Sequence, residues 1–412
     1  MLNLFKIAIR NLLRYRRRTL MTASLIAIGV IFVLVFVAIA GSFKLMMIGQ
    51  ITDSMLGHLQ IHRKGYVASI DNLPLNLTMK PSAYKKMVTV LESSTDVDAF
   101  SPRLKFGGMF SNFTETTNIR LNGVYPEREF RTVPLLADRI PEGKKTLERG
   151  EIIVPILLAK GLKVKTGDPV VIVATNADGS VNGKQFKVVG VLESATGPGG
   201  RDGYIHIEDA AEVLRMSEPQ VSEVAVRLKK FDRLSTAASS INGKLSGEVN
   251  KEGTPIFEVH TWEQLSPFFN IARMIDVMTF FIRITLIAIV LISIMNVMIM
   301  AVYERIREIG TIAAIGTLPR RILSMFVIEG FCLGITGAVI GNLIGGAIIG
   351  IVNLVGIRFN FGQQKGLLLE ASLAPGEMIA VSIIVILVAV AASLQPAFKA
   401  SRMDPIEALR HV

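Results

Sequence analysis

Four stretches of the chain contain no Asp, Glu, Lys or Arg over lengths sufficient to cross a lipid bilayer. These stretches are residues 19–43, 284–303, 330–357 and 378–398. A helix rises about 1.5 Å per residue, so about 20 apolar residues cover the hydrocarbon core of about 30 Å. Only 19% of all residues are charged, below the roughly 25% that is usual for soluble domains. The sequence therefore predicts a membrane protein with four transmembrane helices.

The first stretch has to be distinguished from a cleaved signal peptide. Residues 38–40 read Ala-Ile-Ala and resemble a cleavage site. The apolar region of a signal peptide usually has about 7 to 15 residues, which is shorter than this stretch. A retained membrane anchor is the favoured interpretation.

Basic residues flank the apolar stretches unevenly, and this asymmetry predicts the orientation. They precede the first stretch, fill the connection between the second and third, and follow the fourth: Lys6, Arg10, Arg14, Arg16, Arg17, Arg18, Arg305, Arg307, Arg320, Arg321, Lys399, Arg402 and Arg410. Loops rich in Lys and Arg stay in the cytoplasm, so both termini are predicted to be cytoplasmic. The net charge of +11 is explained by attraction to anionic lipid headgroups, and no nucleic-acid partner is predicted.

These signals divide the chain into nine predicted segments. They are an amphipathic cytoplasmic elbow helix (1–18), transmembrane helix 1 (19–43), an extracytoplasmic domain with stalk helices (44–275), transmembrane helix 2 (276–303), a cytoplasmic helix (304–321), transmembrane helix 3 (322–357), an extracytoplasmic loop (358–377), transmembrane helix 4 (378–398) and a cytoplasmic tail (399–412). The elbow is predicted to lie on the membrane because its apolar residues share one helical face.

The segment between the first two spans has the pattern of a mixed α and β domain. Alternating or β-branched runs predict strands at 58–63, 118–125, 169–175, 184–192 and 221–228. Helical patterns occur at 82–93, 156–161 and 234–245, and the run NADGSVNG at 176–183 is typical of a hairpin tip. The predicted fold class is therefore membrane α-helical, with an α+β extracytoplasmic domain inserted between transmembrane helices 1 and 2.

No catalytic or metal-binding pattern is found in the sequence. The phosphate-binding pattern G-x-x-x-x-G-K-[ST] is absent, so ATP is not expected to bind this chain in the usual way. His58 and His62 are four residues apart, but they lie in a run that alternates like a strand, which favours a core or solvated role over a metal site. We expect no catalysis, no metal and no cofactor in the chain itself.

The connection at 303–321 predicts a short amphipathic helix. Ile306, Ile309, Ala313 and Gly316 recur at three- and four-residue spacing, and Pro319 marks the far end. Such a helix can rest on lipid or dock on a partner protein, and its periodicity does not decide between the two.

Two motifs resemble the FtsX-like permease family of ABC transporters, which includes MacB-type macrolide exporters and lipoprotein-releasing permeases. They are E-R-x-R-E-I-G at 304–310 and PAFKASRMDPIEALR at 396–410, and the resemblance covers all four spans. It implies a bacterial inner-membrane protein whose helix after span two couples to a separate ATPase dimer, which binds the ATP and Mg. The residues that inherit this ATPase-coupling role are Glu304, Arg305, Arg307, Glu308, Ile309, Gly310, Gly316 and Pro319.

Two further segments, GHLQIHRKGY at 57–66 and TWEQLSPFF at 261–269, are most similar to the lipoprotein-releasing branch. This resemblance implies extraction of lipoproteins from the outer leaflet, a second permease copy or paralogue, and a periplasmic lipoprotein carrier. The hairpin at 174–186 is short and lacks Pro, so carrier docking and the choice between homodimer and heterodimer stay open. A macrolide-export-like pump and a signalling protein that activates a cell-wall hydrolase are the alternatives.

Two features inside the membrane complete the predictions. Glu329 in span three is expected to face protein in a structural role, and glycines at four-residue spacing after it permit close helix contact. Met and Phe side chains on the outer halves of spans one and two are predicted to line a cleft for acyl chains. They are Phe36, Phe43, Met46, Met47, Met274, Met278, Phe280 and Phe281.

Overall fold

A computed structural model describes residues 2–193, 202–250, 252–361 and 364–410. The chain forms two compact units. The first unit comprises Met1–Leu45, Arg273–Ile357 and Leu368–Val412, and the second comprises Met46–Ala272 and Arg358–Leu367. The first unit contains all four apolar stretches, and the second is the inserted domain.

The helices and strands follow one another in this order: α1 (Leu2–Arg14), α2 (Arg16–Ile51), β1 (Leu59–Arg63), α3 (Pro81–Glu92), β2 (Val97–Ser111), β3 (Thr116–Val124), α4 (Pro126–Thr132), β4 (Glu142–Gly143), β5 (Glu151–Pro155), α5 (Ile156–Gly161), β6 (Pro169–Thr175), β7 (Val181–Leu192), β8 (Asp202–His206), α6 (Ile207–Val213), β9 (Glu223–Leu228), α7 (Leu234–Leu245), β10 (Phe257–Thr261), α8 (Trp262–Leu265), α9 (Phe268–Glu304), α10 (Ile306–Ala314), α11 (Pro319–Val355), β11 (Arg358–Phe361), β12 (Gln364–Leu368), α12 (Pro375–Ser401) and α13 (Pro405–Arg410).

Within the described residues, four helices are long and apolar enough to cross a membrane. They are α2 with its continuation to Leu56, α9, α11 and α12. This confirms the predicted four spans. The α2 helix begins at Arg16, so the elbow helix is shorter than the predicted 1–18 and ends at Arg14.

Glycines allow the third span to approach two other spans closely. A Cβ atom on Gly341 would lie 2.6 Å from Val30 Cβ, and one on Gly337 would lie 2.6 Å from Ile26 Cβ, both on α2. A Cβ atom on Gly334 would lie 2.7 Å from Ala389 Cβ on α12. The predicted role of the glycines in close helix contact is therefore confirmed, because side chains at these positions would overlap with the neighbouring helices.

The second unit is built on a mixed sheet with the strand order β10-β1-β9-β2-β3-β8-β5-β7-β4, and β6 pairs with both β2 and β7. The strands β6 and β7 are antiparallel and are joined by the predicted hairpin, in which the Asn176 amide nitrogen bonds to the Ser180 carbonyl oxygen. Helices α3, α5 and α7 occupy the predicted helical stretches. The α+β class of the inserted domain is confirmed.

A network of charged side chains is buried in the second unit. Arg103 on β2 pairs with Glu129 on α4 at 2.6 Å and with Glu223 on β9 at 3.0 Å. Lys105 also reaches Glu223 at 3.0 Å, and His62 Nε2 lies 3.8 Å from that carboxylate. Removing one partner of a buried ion pair strongly destabilises a protein, because the other charge is left buried without a partner. This network therefore holds β2, β9 and α4 together.

The structure differs from the predicted elements at two further places. The stalk helix predicted before the second span is interrupted between α8 and α9 at Ser266 and Pro267, because a proline lacks the amide hydrogen needed for an unbroken helix. The short helix after span two ends at Ala314 and not near Pro319, which is instead the first residue of α11. Gly316 adopts the left-handed φ of 93° in the turn between these helices.

Candidate functional site

The connection between α9 and α11 is a sharp break, a short helix and a turn. Arg305 has φ −117° and ψ 16°, so it ends α9 and allows α10 to leave in a new direction. Ile306 and Ile309 on α10 are buried within the first unit. Ile306 and Ile309 of the predicted apolar spacing therefore form the packed face of this helix, whereas Ala313 is half-buried and Gly316 is exposed beyond the helix end.

The tail helix α13 packs against the buried face of α10. A Cβ atom on Gly310 would lie 2.7 Å from Ala408 Cβ and 3.6 Å from the Pro405 carbonyl oxygen. Only glycine fits here without displacing the tail. The two family-like motifs, which are far apart in sequence, thus meet in the fold.

Arg305 contacts Glu329 and Tyr15, and Asn11 shares its ion-pair partner Glu329. The Arg305 Nη1 donates to Glu329 Oε1 on α11 at 3.0 Å, and the Asn11 amide on α1 donates to the same oxygen at 3.0 Å. The guanidinium carbon lies 5.1 Å from the centre of the Tyr15 ring, within the range of a cation–π contact. Arg305 is 4% exposed and Glu329 is 1% exposed. The expected structural role of Glu329 agrees with these contacts.

The eight residues assigned to ATPase coupling fall into two groups. Arg305, Ile309 and Gly310 are buried within the first unit, whereas the other five are exposed: Glu304, Arg307, Glu308, Gly316 and Pro319. The five exposed residues can therefore contact a partner directly. The three buried residues can act only by holding α10 in place. None of these contacts with a partner is tested by the structure, so the coupling role stays a prediction.

Sequence reasoning missed an apolar surface at the end of α10. Ile315 is 80% exposed and Leu318 is 61% exposed, and Ile312 on the last turn of the helix is also exposed. The only signal in the sequence is that apolar residues continue beyond the predicted helical face. Exposed apolar side chains clustered at one place indicate contact with a partner or with lipid.

The residues of the predicted acyl-chain cleft have different environments. In the first unit Met274, Met278, Phe280 and Phe281 are exposed on α9, and Phe36 and Phe43 are half-buried on α2. In the second unit Met46 is half-buried. Met47, only 1% exposed, packs in an apolar cluster with Ile48 and Trp262. The structure therefore does not place Met47 on an open surface, and the cleft as a whole stays a prediction.

Ion pairs join the spans α2, α9 and α12 in the first unit. The Lys44 ammonium lies 2.6 and 2.7 Å from the two carboxylate oxygens of Asp276, which links α2 to α9. The Arg283 guanidinium donates to Glu377 at 2.6 Å and links α9 to α12. These pairs satisfy charges that would otherwise be costly near the apolar core of a membrane.

Four membrane-spanning helices, a large inserted α+β domain and a braced amphipathic helix between spans two and three define a membrane permease of the ABC-transporter class. Residues 19–244 match the model of the MacB-like periplasmic core domain, and residues 280–405 match the model of the FtsX-like permease C-terminal region. The chain belongs to this family of MacB-like and FtsX-like permeases, whose members work with an ABC ATPase partner.

Curated relatives agree with this assignment. The lipoprotein-releasing system transmembrane protein LolC of Neisseria meningitidis is 25% identical over 95% of this chain and 94% of its own length. LolC of Xylella fastidiosa is 24% identical over 71% of this chain and 72% of its own length. The macrolide export protein MacB of Syntrophobacter fumaroxidans is 38% identical, but over only 29% of this chain and 15% of its own length.

Two solved structures of extracytoplasmic domains are also similar to the chain. The periplasmic region of MacB from Actinobacillus actinomycetemcomitans has a TM-score of 0.35 and 11% identity, covering 53% of this chain and 92% of that one. The extracellular domain of YknZ from Gram-positive bacteria has a TM-score of 0.33 and 15% identity, covering 49% and 99%. The assignment rests on the family models and the curated relatives, not on these two structures.

Proposed function

We propose that this permease couples ATP hydrolysis in a separate ATPase dimer to the extraction of lipoproteins from the outer leaflet of the bacterial inner membrane. The observation that carries the coupling part is the apolar surface formed by Ile312, Ile315 and Leu318 beside the exposed charges of α10. The chain itself is a non-catalytic subunit, since its sequence has no phosphate-binding loop.

The end of α10 is suited to docking on a protein surface. Burying a large aliphatic side chain contributes about 1.5–3 kcal/mol, so Ile315 alone can be a strong anchor. Arg307 and Glu308 on the exposed side of the helix can add charge complementarity around this apolar centre. Bracing by α13 and by the Arg305 contacts keeps the anchor in a fixed position, which lowers the entropy lost on docking.

Lipoproteins are the favoured cargo because the similarity to the Neisseria LolC protein extends over almost the whole of both chains. A macrolide-export-like pump is the second candidate, favoured by the higher identity to the MacB protein over a short segment. The cargo would enter between the outer halves of α2 and α9, where Met and Phe side chains offer an adaptable apolar lining. A second permease copy or paralogue and a periplasmic carrier complete the proposed assembly.

Labelling of single cysteines tests the proposed orientation. In a Cys332→Ala background, Val181→Cys in the inserted domain should react with a membrane-impermeant maleimide in cells with a permeabilised outer membrane and an intact inner membrane. Ala314→Cys on α10, which is also exposed, should react only after the inner membrane is opened. The reverse pattern would contradict the orientation inferred from the basic residues.

Two substitutions of Ile315 test the apolar surface at the end of α10. Ile315→Asp should abolish capture of the ATPase subunit and lower ATP-dependent lipoprotein release from proteoliposomes at least about 10-fold, because a desolvated charge would replace an apolar anchor. Ile315→Leu keeps the apolar volume and should behave as the natural protein. Abundance in the membrane is measured for both variants.

Two outcomes would contradict parts of the proposal. Full ATPase capture and transport by the Ile315→Asp variant would show that α10 does not dock through this surface. Normal ATP hydrolysis with macrolide export and no lipoprotein release would favour the second candidate cargo.

A further inference from the structure

We infer that Arg305 is the pivot of the coupling helix: its side chain fastens α10 to the third span and to the elbow helix α1, so that these elements move together when an ATPase moves α10. The inference rests on the proposed function. It gives Arg305 an internal positioning role in place of contact with the ATPase.

The backbone places the pivot at a single residue. The α9 helix ends at Glu304 and α10 begins at Ile306, so Arg305 alone separates the span from the coupling helix. Its non-helical φ and ψ absorb the change of direction. Hinges in proteins are typically a few residues at the ends of rigid elements, and here the hinge carries a long cationic side chain.

The Arg305 side chain connects this hinge to the third span. It bonds to Glu329 at 3.0 Å, and both side chains are almost fully buried. Separating two opposite charges in a poorly hydrated place is much more costly than separating an exposed pair. A displacement of α10 is therefore less costly when α11 follows it than when the pair is broken.

The same group of side chains also connects the elbow helix α1 to Arg305. Asn11 donates to the Glu329 oxygen that also accepts from Arg305. Tyr15, whose ring lies beneath the Arg305 guanidinium, separates α1 from α2 just as Arg305 separates α9 from α10. Two helix breaks thus face each other, and the Glu304–Arg18 pair at 2.9 Å links the same two places.

The hydrogen bonds of Glu329 allow variants that remove its charge but keep the shape of the side chain. Both donors use Oε1, whereas Oε2 is buried and has no hydrogen-bond partner among the described residues. Glu329→Gln keeps an acceptor oxygen and the side-chain shape but removes the ionic attraction. Arg305→Met combined with Glu329→Leu removes the charges from both residues while keeping apolar volume, a replacement that proteins often tolerate.

The first experiment measures coupling. In proteoliposomes that contain the permease and its ATPase, Glu329→Gln should lower lipoprotein released per ATP hydrolysed by about 10-fold or more, with the KM for ATP unchanged. The Met/Leu double variant should accumulate in the membrane like the natural protein and show the same loss of coupling. Arg320→Gln, which removes an exposed cation from the first turn of α11, is the matched control and should couple normally.

The second experiment needs neither ATPase nor cargo. In the Cys332→Ala background, spin labels at Ala314→Cys on α10 and Leu343→Cys on α11 should give one narrow distance distribution, because the pivot fixes these helices to each other. The distribution should broaden with Glu329→Gln and with the Met/Leu variant, since apolar packing is not directional.

The outcomes separate the inference from the proposed function. Normal coupling together with a narrow distance distribution in the Met/Leu variant would overturn the pivot, because packing alone would then suffice. If the natural protein hydrolyses ATP with its ATPase but releases no lipoprotein, the proposed cargo is wrong, and the distance distributions still decide the pivot.

Discussion

Gly341→Leu is expected to lower the free energy of unfolding of this permease by about 3 kcal/mol, the upper part of the usual range for overpacking. The new Cβ atom would lie 2.6 Å from Val30 Cβ and 3.1 Å from the Ala27 carbonyl oxygen, so α2 and α11 would have to move apart. Spans gain stability from close packing and not from hydrophobicity, since lipid is equally apolar. Reversible unfolding in mixed detergent micelles measures the change.

The matched control is on the same helix. Gly346 has no atom within 4 Å of the place that a Cβ would occupy, so Gly346→Leu should change stability by less than about 0.5 kcal/mol beyond the helix-propensity gain that both variants share. Equal stabilities of the Gly341 and Gly346 variants would show that α2 and α11 do not pack through the glycine face.

Arg103→Met is expected to destabilise the inserted domain by about 3–5 kcal/mol, because it leaves Glu129 and Glu223 buried without their shared cation. Arg233→Met is the control. Its ion pair with Asp96 is largely exposed, so the loss should be about 0–1 kcal/mol. Thermal unfolding of the full-length protein, followed by the fluorescence of its single Trp, measures both effects. Equal losses in the two variants would contradict a special role for the buried network.

The same network predicts a pH dependence. Burial alone would raise the pKa of Glu223, but Lys105, His62 and Arg103 lower it well below the usual 4.5. A carboxyl whose pKa is lowered on folding contributes stability that is present above its unfolded pKa and is lost as the pH falls through its folded pKa. The pKa of Asp202 is raised by burial, which acts in the opposite direction. The stability that Glu223 contributes should therefore be lost as the pH falls below about 4.5, and in Arg103→Met this dependence should be weaker.

Much of the fold could be predicted from the sequence because its signals are local. Charge-free runs define spans whatever surrounds them, and α5 and α7 have the predicted bounds because their apolar spacing is continuous. The glycine face was predictable since small residues at four-residue spacing lie on one side of a helix.

The parts that could not be predicted depend on contacts between distant residues. Nothing near Arg305 in the sequence indicates that Asn11 and Glu329 will meet beside it, so its buried position was not foreseen. The sequence predicts that Met47 lines the acyl-chain cleft, yet it packs against residues of the inserted domain that lie far along the chain. The buried Arg103 network likewise joins strands that are not neighbours in sequence.

The contact between Gly310 and Ala408 has a consequence for biogenesis. The buried face of α10 packs against α13, which follows the fourth span in the sequence. This contact therefore cannot form before the fourth span has been synthesised. A nascent chain arrested before α12 would leave Ile309 and Gly310 exposed, and cells remove incompletely folded chains through chaperones and proteases. If α10 docks on an ATPase as proposed, a half-inserted chain would present an incomplete docking element, and the order of synthesis would act as a checkpoint on assembly.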